Sequence, residues 1–197
     1  MKCRFTAVAA SFAALSLGVF AIPASSPAMA DQISARIISK MKSPDKLNPA
    51  LSQLVGKWKG KGRFRPSRNF PRSKVKCRMS ADWIEGGRVV RQSMNCKGLL
   101  ISIKRTSYIA YDRATRRYVG MDFGNMGPDN VSFSGTGNGS RFDMAMTHYN
   151  SGDPNPKHHR MVISVNGTTS LSTVMSKVSR RPYEIINVVY KRQGGTI

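Results

Sequence analysis

Acidic residues are scarce in this chain. Aspartate and glutamate together number 10 among 197 residues, against 32 lysines and arginines, which gives a formal net charge of +22 at pH 7. No pair of carboxylates stands out, and Asp82 and Glu85, which flank Trp83 near a predicted turn, are expected at the surface. The chain also lacks a nucleophile elbow, a phosphate-binding loop and a zinc-hydrolase motif. We therefore predict a protein that is not an enzyme, and we assign no catalytic residue.

Long apolar runs are absent beyond the N-terminus. The single run, residues 5–22, follows two basic residues and is succeeded by Ala28-Met29-Ala30. This is the layout of a secretory signal peptide with an A-x-A cleavage site. A membrane anchor is the alternative, but polar residues interrupt the run and Pro23 ends it. We predict a signal peptide over residues 1–30, secretion to a bacterial periplasm, and no transmembrane span in the mature chain.

Cysteine is also rare, since the chain has three. Cys3 precedes the apolar run, so it is not placed as a lipoprotein anchor and is lost with the signal peptide. Cys77 and Cys96 remain. In an oxidising compartment an isolated pair is most simply explained as a disulfide, which we predict here.

The mature chain keeps most of the positive charge. Removing the two basic residues of the signal peptide leaves +20 on about 167 residues, a length that suits one domain. The charge is spread as single lysines and arginines, not as a block, so a nucleic-acid-binding tail is not predicted. Anionic lipid head groups or acidic polysaccharide are the partners that such a charge favours, and a solvated basic surface is the alternative.

The stretch from Leu54 to Phe64 predicts the first strand of a small closed barrel. Alternation with a period of two places Trp58 on one face with glycines and Phe64, and lysines and an arginine on the other. Glycines inside a strand indicate close backbone approach or a sharp bend. A large ring beside missing side chains therefore fits the inside of a barrel, with the charges outside.

A hairpin follows, and its register can be predicted in two ways. A two-residue turn at Gly86-Gly87 would place Cys77 opposite Cys96, Met79 opposite Met94, and Trp83 opposite Val90. The predicted disulfide requires the same register. This turn would, however, make the cysteines a hydrogen-bonded pair, in which the Cβ atoms are farther apart, so we expect a bulge or a longer turn to adjust it.

Alternating segments continue to the C-terminus with regular turn signals. They predict nine or ten short strands and an all-β antiparallel meander, closed because closure removes exposed edges. Before them, Ile33, Ile37 and Met41 predict a short amphipathic helix. Asn48 before Pro49 predicts the start of a second helical turn. The predicted organisation is a helical or linker segment over 31–49 and a barrel over 50–197.

The motifs resemble those of lipocalin-like (calycin) barrels. Gly56-x-Trp58 enters the first strand, and Lys191 and Arg192 lie near the end of the last. In calycins the tryptophan plugs one end of the barrel and an arginine packs on it, so the resemblance implies that Lys191 or Arg192 covers Trp58. The Leu-x-Gly-x-Trp-x-Gly opening, Gly86-Gly87-Arg88, and Tyr111-Asp112 followed by Tyr118-Val119 are similar to a family of secreted bacterial domains of unknown function with this barrel.

Trp-x-Gly-x-Gly-x-x-x-Pro66 is also similar to the opening of the nitrobindin haem barrels. That resemblance implies a proximal histidine in a late strand. The last histidine, His159, is predicted beside a loop together with His158, both exposed, so we expect no haem and no other cofactor. Met144, Met146 and His148 share one strand face and can either bind copper(I) or line a barrel. The lining is expected, and no metal site is predicted.

Two functions are predicted as alternatives. The first is a non-enzymatic binding protein that holds a small apolar or amphipathic ligand inside the barrel, lined by Trp58, Met79, Trp83, Met94, Phe142, Met144 and Met146. The second is an envelope-associated protein that binds anionic polymers or lipids through Lys57, Lys59, Lys61, Arg63, Arg65, Arg68 and Arg72. An internal pocket above ~300 Å³ would favour the first alternative.

Overall fold

Alternation of apolar and polar side chains produces ten antiparallel strands that close into a barrel. The computed structural model describes residues 27–125, 130–149 and 155–194. Its helices are α1 (Pro27–Ser39) and α2 (Pro49–Ser52), and its strands are β1 (Gly56–Phe64), β2 (Ser73–Ile84), β3 (Val89–Lys97), β4 (Ser102–Asp112), β5 (Arg117–Gly124), β6 (Asn130–Gly137), β7 (Arg141–Tyr149), β8 (Lys157–Asn166), β9 (Ser170–Lys177) and β10 (Tyr183–Arg192). The predicted all-β meander barrel is confirmed.

Each strand pairs with the next along the chain, and β10 pairs with β1 to close the barrel. The two ends of the barrel differ. At the capped end, α2 precedes β1 and short turns join β2 to β3 and β4 to β5. At the opposite end, the loop end, the connections include residues 65–72, 98–101 and 178–182. The sequence also predicts a turn over Gly124–Asp129 and a loop over Ser151–Pro156, and both segments fall mostly outside the described residues.

Helix α1 packs against the outside of the barrel. Ile37 is buried and lies in a small apolar cluster with Val89, Tyr108 and Ala110, which face outward from β3 and β4. Val119, Met121 and Phe123 of β5 share one face, and that face is the outer one, beneath α1. The predicted helix is confirmed, although it begins at Pro27. Most of the predicted signal peptide lies outside the described residues. Within the described residues, no helix is long and apolar enough to cross a membrane.

Helix α2 begins where the sequence predicts. The side chain of Asn48 accepts a hydrogen bond from the backbone N–H of Leu51 at 3.2 Å, and Pro49 occupies the first helical position, where it needs no N–H partner. Leu51 and Leu54 are fully buried. This short helix therefore fixes the entry of the chain into β1.

The β2–β3 hairpin has the predicted register. Cys77 pairs with Cys96, Met79 with Met94, and Trp83 with Val90, and the cysteines form a disulfide. The predicted two-residue turn is wrong, because Ile84 and Val89 are the last pair and Glu85–Gly87 forms a turn of 3₁₀ helix. The cysteine Cα atoms are 4.0 Å apart, which matches the narrower, non-hydrogen-bonded type of antiparallel pair. The longer turn therefore places the cysteines at a non-hydrogen-bonded pair, whereas a two-residue turn would place them at a hydrogen-bonded pair, with the Cβ atoms farther apart.

Candidate binding surfaces and the barrel interior

Trp58 and Arg192 close the capped end. Trp58 is 1% exposed and donates a hydrogen bond from its indole N–H to the carbonyl of Leu54 at 2.9 Å. The Arg192 guanidinium lies over the indole, 4.2 Å from the ring centroid. Gly56 has a φ of 132°, which favours glycine, and a Cβ there would come within 2.4 Å of Arg192 Nη1. The plug implied by the calycin resemblance is present, and of its two candidate cations Arg192 fills the role.

The barrel interior is largely filled by side chains. The seven predicted lining residues all belong to or pack against one apolar core. Trp58, Phe142, Met144 and Met146 are almost completely buried. A cavity of about 40 Å³ lies beside Met79 and Met94 and has room for a few water molecules at most. It is far smaller than the ~300 Å³ at which small-molecule pockets begin.

A buried ion pair, which the sequence analysis missed, borders this cavity. Arg105 donates from Nε to Oδ1 of Asp122 at 3.2 Å and from Nη2 to Oδ2, and the Asp122 side chain is 2% exposed. Burial raises the pKa of the Asp122 carboxyl, while the Arg105 guanidinium and the Ser107 hydroxyl act in the opposite direction. Arg105 also approaches the sulfur of Met175 at 3.4 Å.

Two histidines lie beside this pair, on β7 and β8. The rings of His148 and His159 meet edge to face with centroids 4.0 Å apart, and His148 is 7% exposed. His148 Nε2 and His159 Nδ1 are buried without a hydrogen-bond partner among the described residues. The prediction that His159 is an exposed loop residue is wrong, because β8 begins at Lys157 and directs His159 inward; His158 is exposed as predicted.

Both imidazoles are held neutral. Burial lowers the pKa of His148 to about 3 and that of His159 to about 4. Nearby cations add to the effect of burial: Arg105 lowers the pKa of both imidazoles, and Lys177 also lowers that of His159. The loop end of the interior therefore combines two uncharged histidines with the Arg105–Asp122 ion pair.

The interior does not fit the haem that a nitrobindin-like barrel would hold. His159 does lie in a late strand, but the adjoining space is occupied by Arg105, Asp122, Met161 and Met175 around the 40 Å³ cavity. Nor does the described part of the chain contain a cluster of three or more His, Cys, Asp or Glu residues able to hold a metal ion. Met144, Met146 and His148 face inward, as both alternatives for them require.

Two other carboxylates among the described residues, Asp82 and Asp112, have structural partners. Asp82 forms a surface ion pair with Arg91 at 2.8 Å. Asp112 is buried and accepts hydrogen bonds from the backbone of Ser43 at 2.9 Å and from the Thr115 hydroxyl at 2.9 Å. Burial opposes ionisation of Asp112, but these bonds lower its pKa overall. These groups tie segments together and are not arranged as an acid–base pair.

A dense array of cations covers one side of the barrel, formed by the outer faces of β10, β1, β2 and β3. We call it the basic wall. Its cations are all exposed and are Lys57, Lys59, Lys61, Arg63, Lys74, Lys76, Arg78, Lys97 and Lys191. An open groove of about 830 Å³ runs over it, and a second of about 1100 Å³ extends from Lys57, Lys59 and Arg78 across β4 and β5 to α1.

Like charges stand directly opposite one another across this wall. Lys59 pairs with Arg78 on one side and with Lys191 on the other. The same is true of Lys61 with Lys76, Arg63 with Lys74, and Lys76 with Lys97. None of these cations forms an ion pair with a carboxylate within the described residues. Directly opposed like charges destabilise a sheet.

The seven predicted polyanion-binding residues divide between two places. Lys57, Lys59, Lys61 and Arg63 lie on the wall. Arg65 packs over the ring of Tyr183 at 5.4 Å, and Arg68 and Arg72 are exposed on the 65–72 loop. The wall cations of β2, β3 and β10 were not predicted. The sequence shows that these cations alternate with apolar residues along their strands. It does not show that β2 pairs with β1 across an eight-residue loop, which is what brings the cations together.

The family of the chain follows from comparison with known sequences. A family model described as "Protein of unknown function (DUF1579)" matches residues 43–192, which comprise α2 and all ten strands. The chain belongs to the DUF1579 family. No curated protein matches the chain. The family confirms the resemblance to bacterial domains with a lipocalin-like barrel at the level of the fold.

Comparison with solved structures finds one clear similarity in fold to this DUF1579 chain and one weaker match. Rv2717c from M. tuberculosis is 16% identical, with a TM-score of 0.59, and the match covers 76% of this chain and all of that one. The S-type phycobiliprotein lyase CPES from Guillardia theta is 8% identical, with a TM-score of 0.48, over 74% of this chain and 91% of that one. At these identities the likeness concerns the fold alone.

Proposed function

We propose that this DUF1579 protein is a non-enzymatic, secreted binding protein that holds an anionic polymer on the basic wall. The observation that carries the proposal is the set of directly opposed cations, such as Lys59 with Arg78 and Lys61 with Lys76. Their mutual repulsion lowers the stability of the folded state. A bound polyanion would remove that repulsion, so the arrangement is explained by a ligand and not by the fold.

The spacing of the charges suits a polymer. Neighbouring strands lie about 4.8 Å apart, and outward residues along one strand recur every ~6.6 Å. These distances are shorter than the ~8 Å Debye length at physiological ionic strength, so the cations act together. A chain with repeated anionic groups can contact several of them at once. The wall has no outward aromatic side chain for base stacking, which favours an acidic polysaccharide over nucleic acid.

Secretion belongs to the same proposal. It is supported by the signal-peptide pattern of residues 1–30 and by the Cys77–Cys96 disulfide, since disulfides persist in oxidising compartments. Intact mass spectrometry of protein expressed in a bacterial host tests it. A mature chain that begins at Asp31 supports secretion, and an uncleaved cytoplasmic chain overturns it.

Heparin affinity at several salt concentrations tests the wall. We expect the wild type to bind with an affinity that falls steeply as salt rises, because binding releases counterions. The variant Lys61→Gln/Lys76→Gln should elute at lower salt and show a shallower salt dependence. Lys46→Gln/Arg88→Gln removes two exposed cations at the capped end and is the matched control.

The control distinguishes a site from general charge attraction. Equal losses in both variants, or binding that does not respond to salt, would overturn the proposed wall. Circular dichroism and urea unfolding of each variant show that the changes leave the barrel folded.

A small ligand inside the barrel is the second candidate. The cavity of about 40 Å³ is too small for such a ligand as it stands, but it is lined by Met79, Met94, Met161 and Met175 beside Arg105, and this lining favours the candidate. Methionine side chains are unbranched and can repack, so a ligand can enlarge the space by displacing them. Native mass spectrometry of protein purified from its own host tests this candidate: a retained mass supports it, and a bare chain in every preparation overturns it.

A further inference from the structure

Three neighbouring loops form one edge of the loop end. Because β10 pairs with β1 and β2 pairs with β3, the loops 178–182, 65–72 and 98–101 follow one another around the barrel. The hydroxyl of Tyr183 donates to the carbonyl of Pro66 at 3.1 Å, and the N–H of Arg65 donates to the carbonyl of Ile185 at 2.7 Å. The first two loops are therefore tied together at their bases.

Each of these loops exposes a large apolar side chain. Leu99 and Leu100 are 96% and 92% exposed, at the tip of a turn that the N–H of Gly98 closes on the carbonyl of Ile101 at 2.8 Å. Phe70 is 60% exposed and Val178 is 56% exposed. Alternation of Leu99, Ile101 and Ile103 predicts that the next strand begins at Leu99, but β4 begins only at Ser102. A single exposed leucine needs no explanation, whereas four such residues on three adjacent loops do.

Cations surround these apolar tips. Arg68 and Arg72 lie beside Phe70, and Arg180 and Arg181 follow Val178; all four are exposed. The three loops contain no aspartate or glutamate. We call these eight residues the rim: Arg68, Phe70, Arg72, Leu99, Leu100, Val178, Arg180 and Arg181.

We propose that the rim docks on the surface of an anionic lipid bilayer. Leu99, Leu100 and Phe70 enter the boundary between head groups and acyl chains, and the arginines bind the anionic head groups. Apolar side chains combined with cations are the composition that binds anionic membrane interfaces. Charge complementarity selects this occupant, because an apolar protein partner would leave four arginines without counter-charges. The rim lies at an end of the barrel and the wall on its side, so this proposal does not depend on the polymer.

Docking in this orientation would have a consequence for the barrel. The polar end of the interior, with His148, His159 and Arg105, lies toward the loop end and would face the membrane, whereas the Trp58 plug would face away. The basic wall would stand roughly upright from the bilayer surface, with Lys97 and Lys74 nearest to it.

Co-sedimentation with vesicles tests the rim. Phosphatidylcholine mixed with phosphatidylglycerol is compared with phosphatidylcholine alone. We expect binding only to the mixed vesicles and a loss of at least about tenfold in partitioning for Leu99→Ser/Leu100→Ser. Arg68→Gln/Arg181→Gln should weaken the preference for the anionic lipid, because two of the four rim arginines are removed. Because all four side chains are exposed, urea unfolding should be unchanged. Leu47→Asn, at an exposed leucine of the capped end, is the matched control and should bind as the wild type does.

A local probe separates the rim from the N-terminal apolar run, which can bind lipid itself. Leu100→Trp should show a blue-shifted emission that brominated anionic lipids quench, and Leu47→Trp should not. The proposal is overturned if quenching is equal at both positions, if the serine variant binds as tightly as the wild type, or if the rim instead mediates self-association in the absence of lipid. Loss of heparin binding in the Lys61→Gln/Lys76→Gln variant without loss of vesicle binding would show that the two surfaces act independently.

Discussion

Arg192 covers the indole of Trp58 and holds the capped end of the barrel together. Its guanidinium donates from Nε to the carbonyl of Thr168 at 2.6 Å, from Nη1 to that of Val55 at 2.5 Å, and from Nη2 to that of Gln53 at 2.9 Å. One side chain on the last strand thus binds the segment before β1, the β8–β9 turn and the tryptophan. Only a planar fork of donors can do all of this at once.

Replacing Arg192 by lysine should therefore destabilise the barrel although the charge is kept. We expect the free energy of unfolding to fall by about 2 kcal/mol, because lysine cannot reach the three carbonyls together and stacks less well on the ring. Urea unfolding followed by tryptophan fluorescence measures the loss. Lys191→Gln, at the exposed neighbour, should change stability by less than ~0.5 kcal/mol. Equal effects of the two substitutions would contradict the role of the fork.

The Arg105–Asp122 pair should be costly to break. Asp122→Asn leaves the Arg105 guanidinium buried without a counter-charge, and we expect a loss of about 3–5 kcal/mol in the free energy of unfolding. Arg105→Met/Asp122→Asn should recover much of it, because methionine can pack beside Met175. Asp82→Asn is the surface control: its pair with Arg91 is solvated and is worth less than ~1 kcal/mol. The role of the buried pair is contradicted if Asp122→Asn costs no more than Asp82→Asn.

The histidine pair should make the barrel sensitive to mild acid. The pKa of His148 is about 3 and that of His159 about 4 in the folded state, below the ordinary 6.5, so the unfolded chain takes up protons first as the pH falls. Their contribution to stability is complete above about pH 6.5 and is lost as the pH falls toward about 4 for His159 and about 3 for His148, with a slope of up to ~1.4 kcal/mol per pH unit for each histidine. Urea unfolding at a series of pH values measures the slope.

Variants isolate the histidines from other titrating groups. The pKa of Asp122 is raised by burial, so its effect on the slope has the opposite sign. His148→Gln/His159→Gln should flatten the dependence between pH 6.5 and pH 4, while His158→Gln, at the exposed neighbour, should not. An unchanged slope in the double variant would show that other groups cause the acid sensitivity.

The sequence predicts those features of the structure that depend on residues close together along the chain, and not those that depend on residues far apart along it. The Trp58 strand, the Cys77–Cys96 register and the last strand follow from local alternation. The orientation of β5 does not, since Tyr118 on one face and Val119, Met121 and Phe123 on the other are all apolar. Only the docking of α1 decides which face is the outer one.

The interior polar cluster is harder to predict. Arg105 occupies an inward position of β4 between Ile103 and Ser107. The pattern of alternation predicts an apolar residue at such a position. Its burial is tolerated only because Asp122, on the next strand, reaches it diagonally. His159 likewise depends on β8 beginning at Lys157, and the adjoining loop gives no local sign of that. Such pairs become visible only when the strand register is known.

The opposed cations of the basic wall should lower the stability of the barrel and raise its affinity for a polyanion. Lys76 faces Lys61 on β1 and Lys97 on β3, so Lys76→Glu replaces two repulsive cross-strand pairs by two attractive ones. We expect the free energy of unfolding to rise by about 0.5–1 kcal/mol at low salt and by less at high salt, because the interaction is screened. Heparin affinity should fall in the same variant. Lys104→Glu is the control, since its partner on β3 is the uncharged Asn95, and it should gain little stability. If Lys76→Glu instead destabilises the barrel at low salt, the cations of the wall are not in conflict, and the main physical reason to assign them a polyanion disappears.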